Sequence, residues 1–315
     1  MSPLPPAPSR FLVAAFYAFT PLERDTLSAL LKELPALAAQ GTVLGSVLLA
    51  PEGVNGTISG PDEGVEQLLK RLRCDLDLGE AHFERLQVKF SRCDRQAFRR
   101  FKARRKKEIV TMGVPSVDPR ARVGTYVSPS DWNAVVDDPD TLLIDTRNRY
   151  EVAIGSFEGA VDPGTDSFRE FPQWVEKELR PLVERKAPAR IAMFCTGGIR
   201  CEKASSFLMQ NGFPEIHHLR GGILSYLEQI PESASRWRGE CFVFDQRVAL
   251  NHQLHPGQHR LCHACGLPLT PEQRAMQSYI PGVQCLHCRD QFSDQDRARF
   301  RERQRQWEQQ HAGGH

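Results

Sequence analysis

The chain has 315 residues, of which 40% are hydrophobic and 25% are charged, and its formal net charge is +2. This length exceeds what one ordinary hydrophobic core needs and predicts two or three domains. The nearly balanced charge excludes a uniformly acidic or basic protein, and no apolar run approaches the ~18 residues that a membrane-spanning helix requires.

The beginning of the chain carries no export signal. Its first ten residues, MSPLPPAPSR, lack a basic segment followed by an apolar core. The nine cysteines therefore predict catalytic or metal-bound thiols rather than a disulfide framework. We expect a cytoplasmic protein without a membrane partner, and the sequence indicates no protein partner.

Residues 1–95 predict a ferredoxin-like domain. RFLVAAFYAF is typical of a buried strand, and residues 21–39 carry leucines at helical spacing. TVLGSVLLAPEGVNGTISG predicts two strands joined by a turn, GVEQLLKRLR predicts a helix, and HFERLQVKF predicts a last strand. The order β-α-β-β-α-β is that of a ferredoxin-like sandwich.

Residues 96–120 predict a basic linker. Two interpretations remain open for its run of cations, a solvated face or a contact with the phosphates of RNA, because clustered Arg and Lys release counterions on binding nucleic acid. The candidate RNA-binding residues are Arg99, Arg100, Lys102, Arg104, Arg105, Lys106 and Lys107.

Residues 121–235 predict a domain in which strands and helices alternate. TLLID, RIAMFC and IHHL are strand-like, and helical patterns lie between and after them. Alternation of this kind indicates a parallel sheet flanked by helices, with reactive groups beyond the carboxyl ends of the strands. Asp145 and Cys195 occupy such ends.

Residues 236–315 predict a Cys-rich C-terminal domain followed by a polar helical tail. Two C-x2-C pairs, Cys262 with Cys265 and Cys285 with Cys288, are separated by nineteen residues. This spacing is typical of a structural zinc site, in which four thiolates close a tetrahedron. The alternative is four free thiols.

The loop after RIAMF predicts a reactive thiolate at Cys195. A cysteine at the end of a buried strand is usually inert, but here a glycine-containing loop turns backbone N–H groups inward and a helix begins near Arg200. Amides, helix terminus and guanidinium together favour an anion at the centre of the loop. The active-site loop is formed by Thr196, Gly197, Gly198 and Ile199.

Four residues separate Cys195 from Arg200, one fewer than in the C-x5-R loop of protein tyrosine phosphatases. This length disfavours phosphoryl transfer, and the loop resembles that of rhodanese-like proteins, whose cysteine carries a persulfide. The run of Asp145, Arg147 and Glu151 resembles the start of rhodanese domains.

Three further residues of this domain are supporting candidates. Asp145 and Arg147 are interpreted as an ion pair that braces the loop rather than as groups that take part directly in chemistry. Cys201 follows Arg200 directly and either resolves a persulfide on Cys195 or packs in the first turn of the helix.

The resemblance extends along the chain. APEGVNGTISG, RRKKEIVTMG, CTGGIRCEKASSFL and GECFVFDQRV occur in the order found in the bacterial tRNA uridine hydroxylase family of rhodanese-domain proteins. This resemblance implies an oxidoreductase that uses molecular oxygen to form 5-hydroxyuridine at the wobble position of tRNA, with Cys195 as its catalytic cysteine.

Two rival functions remain at this stage. One is a sulfurtransferase that carries a persulfide on Cys195, and the other is an RNA-binding module without catalysis. The sequence contains no G-x-G-x-x-G motif and therefore gives no indication of a nucleotide cofactor. Nothing in the residues explains how oxygen is activated, since zinc does no redox chemistry.

Overall fold

The computed structural model describes residues 10–73 and 86–311. Two compact units make up the chain, one formed by residues 1–246 and 250–255 and the other by residues 247–249 and 256–315. The first unit contains a five-stranded and a four-stranded sheet besides smaller strand pairs, and the second contains the C-terminal cysteines.

The first sheet has the strand order β4-β1-β3-β2-β5. Its first four strands have the order and the interleaved helices of a ferredoxin-like domain, which confirms that prediction. Residues 82–85 of the predicted last strand lie outside the described residues. The elements are β1 (Phe11–Phe19), α1 (Arg24–Gln40), β2 (Leu44–Ala50), β3 (Gly53–Gly60), α2 (Asp62–Arg73), β4 (Gln87–Cys93) and β5 (Phe101–Arg105).

Helices α1 and α2 cover one face of this sheet. Leu27, Leu30 and Leu34 recur at helical spacing along α1 and pack with Leu68 of α2 against the strands. Because successive strand residues point to opposite faces, this packing buries every second residue of β1, β2 and β3 and leaves the alternate residues facing away from the helices.

The segment predicted as a basic linker contributes β5. This strand runs parallel to β2, with Lys102 in register with Ser46 and Arg104 in register with Leu48. Phe101 packs against the core beside α1 and α2. The basic run is therefore part of a sheet edge, and its few apolar side chains are the ones that attach it.

The second sheet has the order β6-β10-β9-β7, with all its strands parallel, as the alternating pattern predicts. Its elements are β6 (Thr125–Val127), α3 (Pro129–Val136), β7 (Thr141–Asp145), α4 (Arg149–Val152), β8 (Gly155–Phe157), α5 (Phe171–Trp174), a π-helical turn (Val175–Leu179), α6 (Arg180–Lys186), β9 (Arg190–Phe194), α7 (Ile199–Gln210), β10 (Ile216–Leu219) and α8 (Gly222–Gln229).

The chain after residue 235 does not leave the second domain at once, although the sequence predicted a new domain from residue 236. Strand β11 (Trp237–Gly239) pairs with β8 in antiparallel fashion. Trp237 belongs to the core of this domain, and its ring lies 5.1 Å from the guanidinium carbon of Arg147.

The remaining elements are short apart from the last helix. Strands β14 and β15 pair near the C-terminal cysteines, and α10 is the polar helix expected from the sequence. These elements are β12 (Cys241–Phe242), β13 (Ala249–Leu250), β14 (Arg260–Leu261), β15 (Pro268–Leu269), α9 (Pro271–Ala275) and α10 (Asp294–His311).

Candidate active site and cysteine cluster

Cys195 directly follows β9 at the carboxyl end of the parallel sheet. Asp145, the last residue of β7, pairs with the neighbouring Phe194, so both predicted residues lie at the same sheet edge. The loop then turns into α7 through Gly198, whose φ of +103° strains any residue with a side chain. Cys195 itself has no exposed surface.

The environment of Cys195 stabilises a thiolate. Burial opposes its ionisation, but the Cys201 thiol, the positive charge of Arg200 and the backbone N–H groups of Cys201 and Gly198 outweigh burial and lower the pKa of Cys195 to about 6. The N–H of Gly198 lies 3.1 Å from the sulfur. At neutral pH the thiolate therefore predominates.

Cys201 lies beside this thiolate as a protonated partner. Burial, its hydrogen bond to Cys195 and the charge on Cys195 raise the pKa of Cys201 well above its usual range. Its sulfur is also 3.6 Å from Oγ1 of Thr146. The two candidate sulfurs are thus brought together, one as hydrogen-bond acceptor and the other as donor.

Arg200 is held by a carboxylate rather than left free to bind an anion. Its two terminal nitrogens each donate to one oxygen of Glu151 at 2.7 Å, and Glu151 has no exposed surface. Burial opposes ionisation of Glu151, but the charge and hydrogen bonds of Arg200 prevail and lower its pKa. Arg200 thus influences Cys195 through its charge, as the sequence predicted, while its terminal nitrogens bind Glu151.

Asp145 and Arg147 form a fully buried ion pair. Arg147 donates to both carboxylate oxygens, at 2.8 and 2.6 Å, and also to the carbonyl of Gly155 at 2.6 Å. Ser156 donates to the same carboxylate at 2.9 Å. Because Gly155 and Ser156 belong to β8 and Asp145 ends β7, these bonds hold the two strands together. Neither charged residue lines the cavity described next.

A cavity of about 860 Å³ opens above the loop. The domain with the parallel sheet contributes Cys195, Thr196, Gly197, Ile199 and Arg200 to its lining. The helix-free face of the first sheet contributes Ser46, Leu48, Asn55, Thr57 and Tyr17. Polar side chains from one domain therefore face the reactive sulfur of the other across a space of the size typical of small-molecule sites.

Tyr17, Tyr126 and Glu202 form a polar cluster beside the loop that the sequence did not indicate. The Tyr17 hydroxyl donates to Glu202 at 2.7 Å, and Tyr126 also forms a hydrogen bond with this carboxyl. Burial raises the pKa of Glu202 despite these bonds, and the charge of Cys195 adds to the rise. Since Tyr17 and Glu202 are 185 positions apart, no local motif predicts their contact.

Lys203 fastens α7 to the first domain. This lysine is 1% exposed, and its amino group lies 3.0 Å from Glu52, 2.6 Å from Glu108 and 3.0 Å from the carbonyl of Val110. A buried lysine requires such partners, because an unpaired charge is costly away from water. The position of α7 therefore depends on two carboxylates of the N-terminal half of the chain.

The seven basic candidates lie on and around β5. All are exposed except Lys102, which is half-buried. Within residues 10–73 and 86–311, none of the seven forms an ion pair with an acidic side chain. Their charge is therefore available to an anionic partner.

The four C-terminal cysteines converge in the second unit. Their sulfurs all lie within 4.8 Å of one another, and Cys262, Cys285 and Cys288 are buried. The separation is 4.0 Å between Cys262 and Cys288, 3.8 Å between Cys265 and Cys285, and 3.6 Å between Cys285 and Cys288. This cluster can hold one metal ion.

No helix within the described part of the chain is long and apolar enough to cross a bilayer.

Family models match both domains of the first unit. Residues 11–109 match the UPF0176 acylphosphatase like domain. Residues 128–229 match the Rhodanese-like domain. The first match includes β5 and so extends past residue 95, where the sequence predicted the domain to end.

Curated relatives match almost the whole chain. It is 73% identical over 301 residues to a protein of Parasynechococcus marenigrum (strain WH8102) named tRNA uridine(34) hydroxylase, with 96% of this chain and 94% of that protein covered. A protein of the same name from Synechococcus sp. (strain CC9605) is 69% identical, with 96% and 92% covered. Another from Prochlorococcus marinus (strain MIT 9313) is 61% identical, with 95% and 94% covered.

Proposed function

Because the chain belongs to the tRNA uridine(34) hydroxylase family, we propose that it hydroxylates carbon 5 of uridine 34 in tRNA, with Cys195 as the catalytic nucleophile. The observation that carries the proposal is the high identity over nearly the full length of named hydroxylases. The thiolate-stabilising loop beneath a nucleotide-sized cavity agrees with it. The protein is thus an oxidoreductase that acts on tRNA, and we place it in the cytoplasm with its substrate.

The cavity suits a single base. Uridine 34 lies in the single-stranded anticodon loop, so turning it outward costs less than extruding a paired base from a duplex. Asn55 and Thr57 provide polar groups for the edge of the base, and Tyr17 provides an aromatic ring. In this arrangement the first domain recognises the base and the catalytic domain acts on it.

The residues around Cys195 keep it reactive. Arg200 and the loop amides maintain the thiolate, Cys201 keeps a proton beside it, and Glu151 fixes the orientation of Arg200. Molecular oxygen is proposed as the source of the added atom, in line with the family resemblance. Its second atom leaves as water, which takes up two protons and two electrons from an external reductant that the assay must contain.

The four-cysteine cluster is proposed to bind zinc. In a tetrahedral site with Zn–S distances of ~2.3 Å, neighbouring sulfurs lie ~3.8 Å apart. Three of the six sulfur separations in the cluster are 3.6, 3.8 and 4.0 Å, and all six are within 4.8 Å. Four protein ligands leave no open position, so the zinc would stabilise the C-terminal unit and take no part in hydroxylation.

The rival function is transfer of sulfur from a small donor, for which the Cys195 loop alone would suffice. The test uses purified full-length protein, tRNA that lacks the modification, and nucleoside mass analysis with and without oxygen. Wild type should form 5-hydroxyuridine only with oxygen, and Cys195→Ser should lose at least about a thousandfold in rate, as expected for an essential nucleophile.

Cys241→Ser is the matched control, because burial raises the pKa of Cys241 to about 12 and this thiol stays protonated. It should keep most of the activity. A wild-type protein that forms no 5-hydroxyuridine but transfers sulfur rapidly from thiosulfate to cyanide would establish the sulfurtransferase instead.

A further inference from the structure

The cavity face of the first sheet continues onto β5. Residues in register on neighbouring strands point to the same face of a sheet. Ala15 pairs with Thr57, Thr57 pairs with Ser46, and Ser46 pairs with Lys102. The first three of these residues line the cavity. These four residues form a row across the strands, and Lys102 lies at the end of this row on the edge strand β5.

A second row ends in the same way. Tyr17 pairs with Asn55, Asn55 pairs with Leu48, and Leu48 pairs with Arg104. The first three again line the cavity. Two parallel rows of cavity residues thus each finish in a cation at the sheet edge.

The intervening residues of β5 belong to the opposite face. Phe101 and Ala103 pack against the core beneath α1 and α2. Arg105 is in register with Leu49, which is fully buried in that core. Arg104 and Arg105 are consequently two adjacent, exposed cations on opposite faces of one sheet.

The rim of the cavity also carries an exposed aromatic ring. Phe244 is 61% exposed and lines the cavity, while its ring contacts Phe242 in an edge-to-face arrangement at 5.2 Å. Arg220 lines the same cavity and lies over the ring of Tyr126 at 5.4 Å. Exposed aromatic rings beside cations are the elements with which proteins bind single-stranded nucleic acid.

We propose that Lys102 and Arg104 contact backbone phosphates of the anticodon loop and that Phe244 stacks on a base next to uridine 34. This assignment rests on the proposed function and narrows the seven basic candidates to the two that share a sheet face with the cavity. Phosphates bind at the sheet edge, and the RNA strand between them and Phe244 crosses the cavity, where the target base enters.

The first experiment compares Arg104→Gln with Arg105→Gln. The dissociation constant of full-length protein for unmodified tRNA is measured between 50 and 300 mM salt. Each single-strand phosphate that a variant leaves without its cation makes the slope of log K against log salt shallower by about 0.7. Arg104→Gln should show this reduction and bind several-fold more weakly at ~150 mM salt, whereas Arg105→Gln should match wild type. Equal effects of the two variants would overturn the assignment to one face.

The second experiment compares Phe244→Leu with Phe244→Trp. Leucine keeps an apolar contact with Phe242 but has no aromatic face, so binding should weaken about tenfold without a change in salt slope. Tryptophan keeps the stacking surface and should bind like wild type. If Phe244→Leu bound tRNA with wild-type affinity, Phe244 would not be part of the proposed RNA-binding surface.

Two controls separate this proposal from the proposed function. The same samples are scored for 5-hydroxyuridine. If the variants differed from wild type in tRNA binding as expected but wild type made no 5-hydroxyuridine, the proposed hydroxylase activity would be refuted and the proposed RNA-binding surface would stand. Polyglutamate of matched charge is tested as a competitor. If polyglutamate displaced tRNA as effectively as single-stranded RNA does, the surface would bind an acidic polypeptide and the RNA assignment would fail.

Discussion

Cys195 and the C-terminal cysteine cluster differ in what surrounds the sulfur. Around Cys195 the neighbours are hydrogen-bond donors and a guanidinium, which stabilise one negative charge without any ligand. In the C-terminal cluster each sulfur has the three other sulfurs within 4.8 Å, and three of these separations are 3.6 to 4.0 Å. Four thiolates this close would repel one another unless a cation neutralised their charge. The first arrangement suits chemistry and the second suits a metal.

Burial by itself does not produce a reactive thiol. Cys195 and Cys241 both have no exposed surface, yet the pKa of Cys195 is lowered to about 6 and that of Cys241 is raised to about 12. Burial raises the pKa of both, and only Cys195 has enough donors to reverse it. The donors of Cys195 are therefore the property to test.

The largest effect is expected in the cysteine cluster. Cys285→Ser removes one of four sulfur ligands, and structural zinc in small domains contributes on the order of 10 kcal/mol to folding. Zinc content should fall from about one per chain to well below one, and residues 256–311 should become sensitive to protease. Metal analysis and limited proteolysis measure the two changes.

His287→Ala is the matched control, because His287 lies inside the same C-x2-C turn but is not among the four clustered ligands. It should retain the metal. Protein prepared without chelator or oxidant that holds no metal, with all four thiols free, would contradict the zinc assignment.

A smaller effect is expected from the charge beside Cys195. Arg200→Gln removes the guanidinium that helps to keep the Cys195 pKa low, so this pKa should rise toward the ~8.5 of a free cysteine. Because the thiolate is the reactive form, the rate of alkylation rises with pH and reaches half its maximum at the pKa. Mass analysis of iodoacetamide-treated protein should give a midpoint near pH 6 for wild type and a higher one for the variant.

Arg200→Gln also leaves the buried carboxylate of Glu151 without its partner. The double variant Arg200→Gln, Glu151→Gln removes both charges and serves as the control for this loss. If neither variant moved the alkylation midpoint, the loop amides and Cys201 would be the sole cause of the low pKa.

The sequence predicted the parts of the molecule that depend on local patterns. The C-x2-C spacing and the strand–loop–helix around Cys195 each lie within a short stretch, and both are present in the structure. The strand order of the first domain followed from alternating and helical periodicities.

The sequence did not predict contacts between distant residues. Glu151 as the partner of Arg200, and Tyr17 as the partner of Glu202, depend on packing between elements far apart in the chain. The basic run was interpreted as a linker because its charges outnumber its apolar residues, yet Phe101 and Ala103 suffice to attach it as a strand. Sheet register, which distinguishes Arg104 from Arg105, is a tertiary property.

The smallest effect is expected at Glu202, a carboxyl near Cys195 that Arg200 does not neutralise. Burial raises the pKa of Glu202, so this carboxyl ionises less readily than a free glutamate. Glu202→Gln should therefore shift the alkylation midpoint of Cys195 less than Arg200→Gln does and alter the free energy of unfolding by less than ~1 kcal/mol near pH 5. Glu202→Ala leaves Tyr17 and Tyr126 without this partner and should cost ~1–3 kcal/mol.

The pH dependence gives the sign of the Glu202 effect. A carboxyl whose pKa is higher in the folded state loses its stabilising contribution as pH rises, beginning above the ~4.3 of an unfolded glutamate and continuing to the raised pKa of the folded state. In urea unfolding between pH 5 and 8, wild type should therefore become less stable relative to Glu202→Gln as pH increases. A difference that stayed constant, together with a higher Cys195 midpoint in wild type than in Glu202→Gln, would show that Glu202 is ionised. In that case the Cys195 thiolate would persist despite the negative charge of Glu202. Its stabilisation would then require stronger hydrogen-bond donors than the backbone N–H groups of the loop alone.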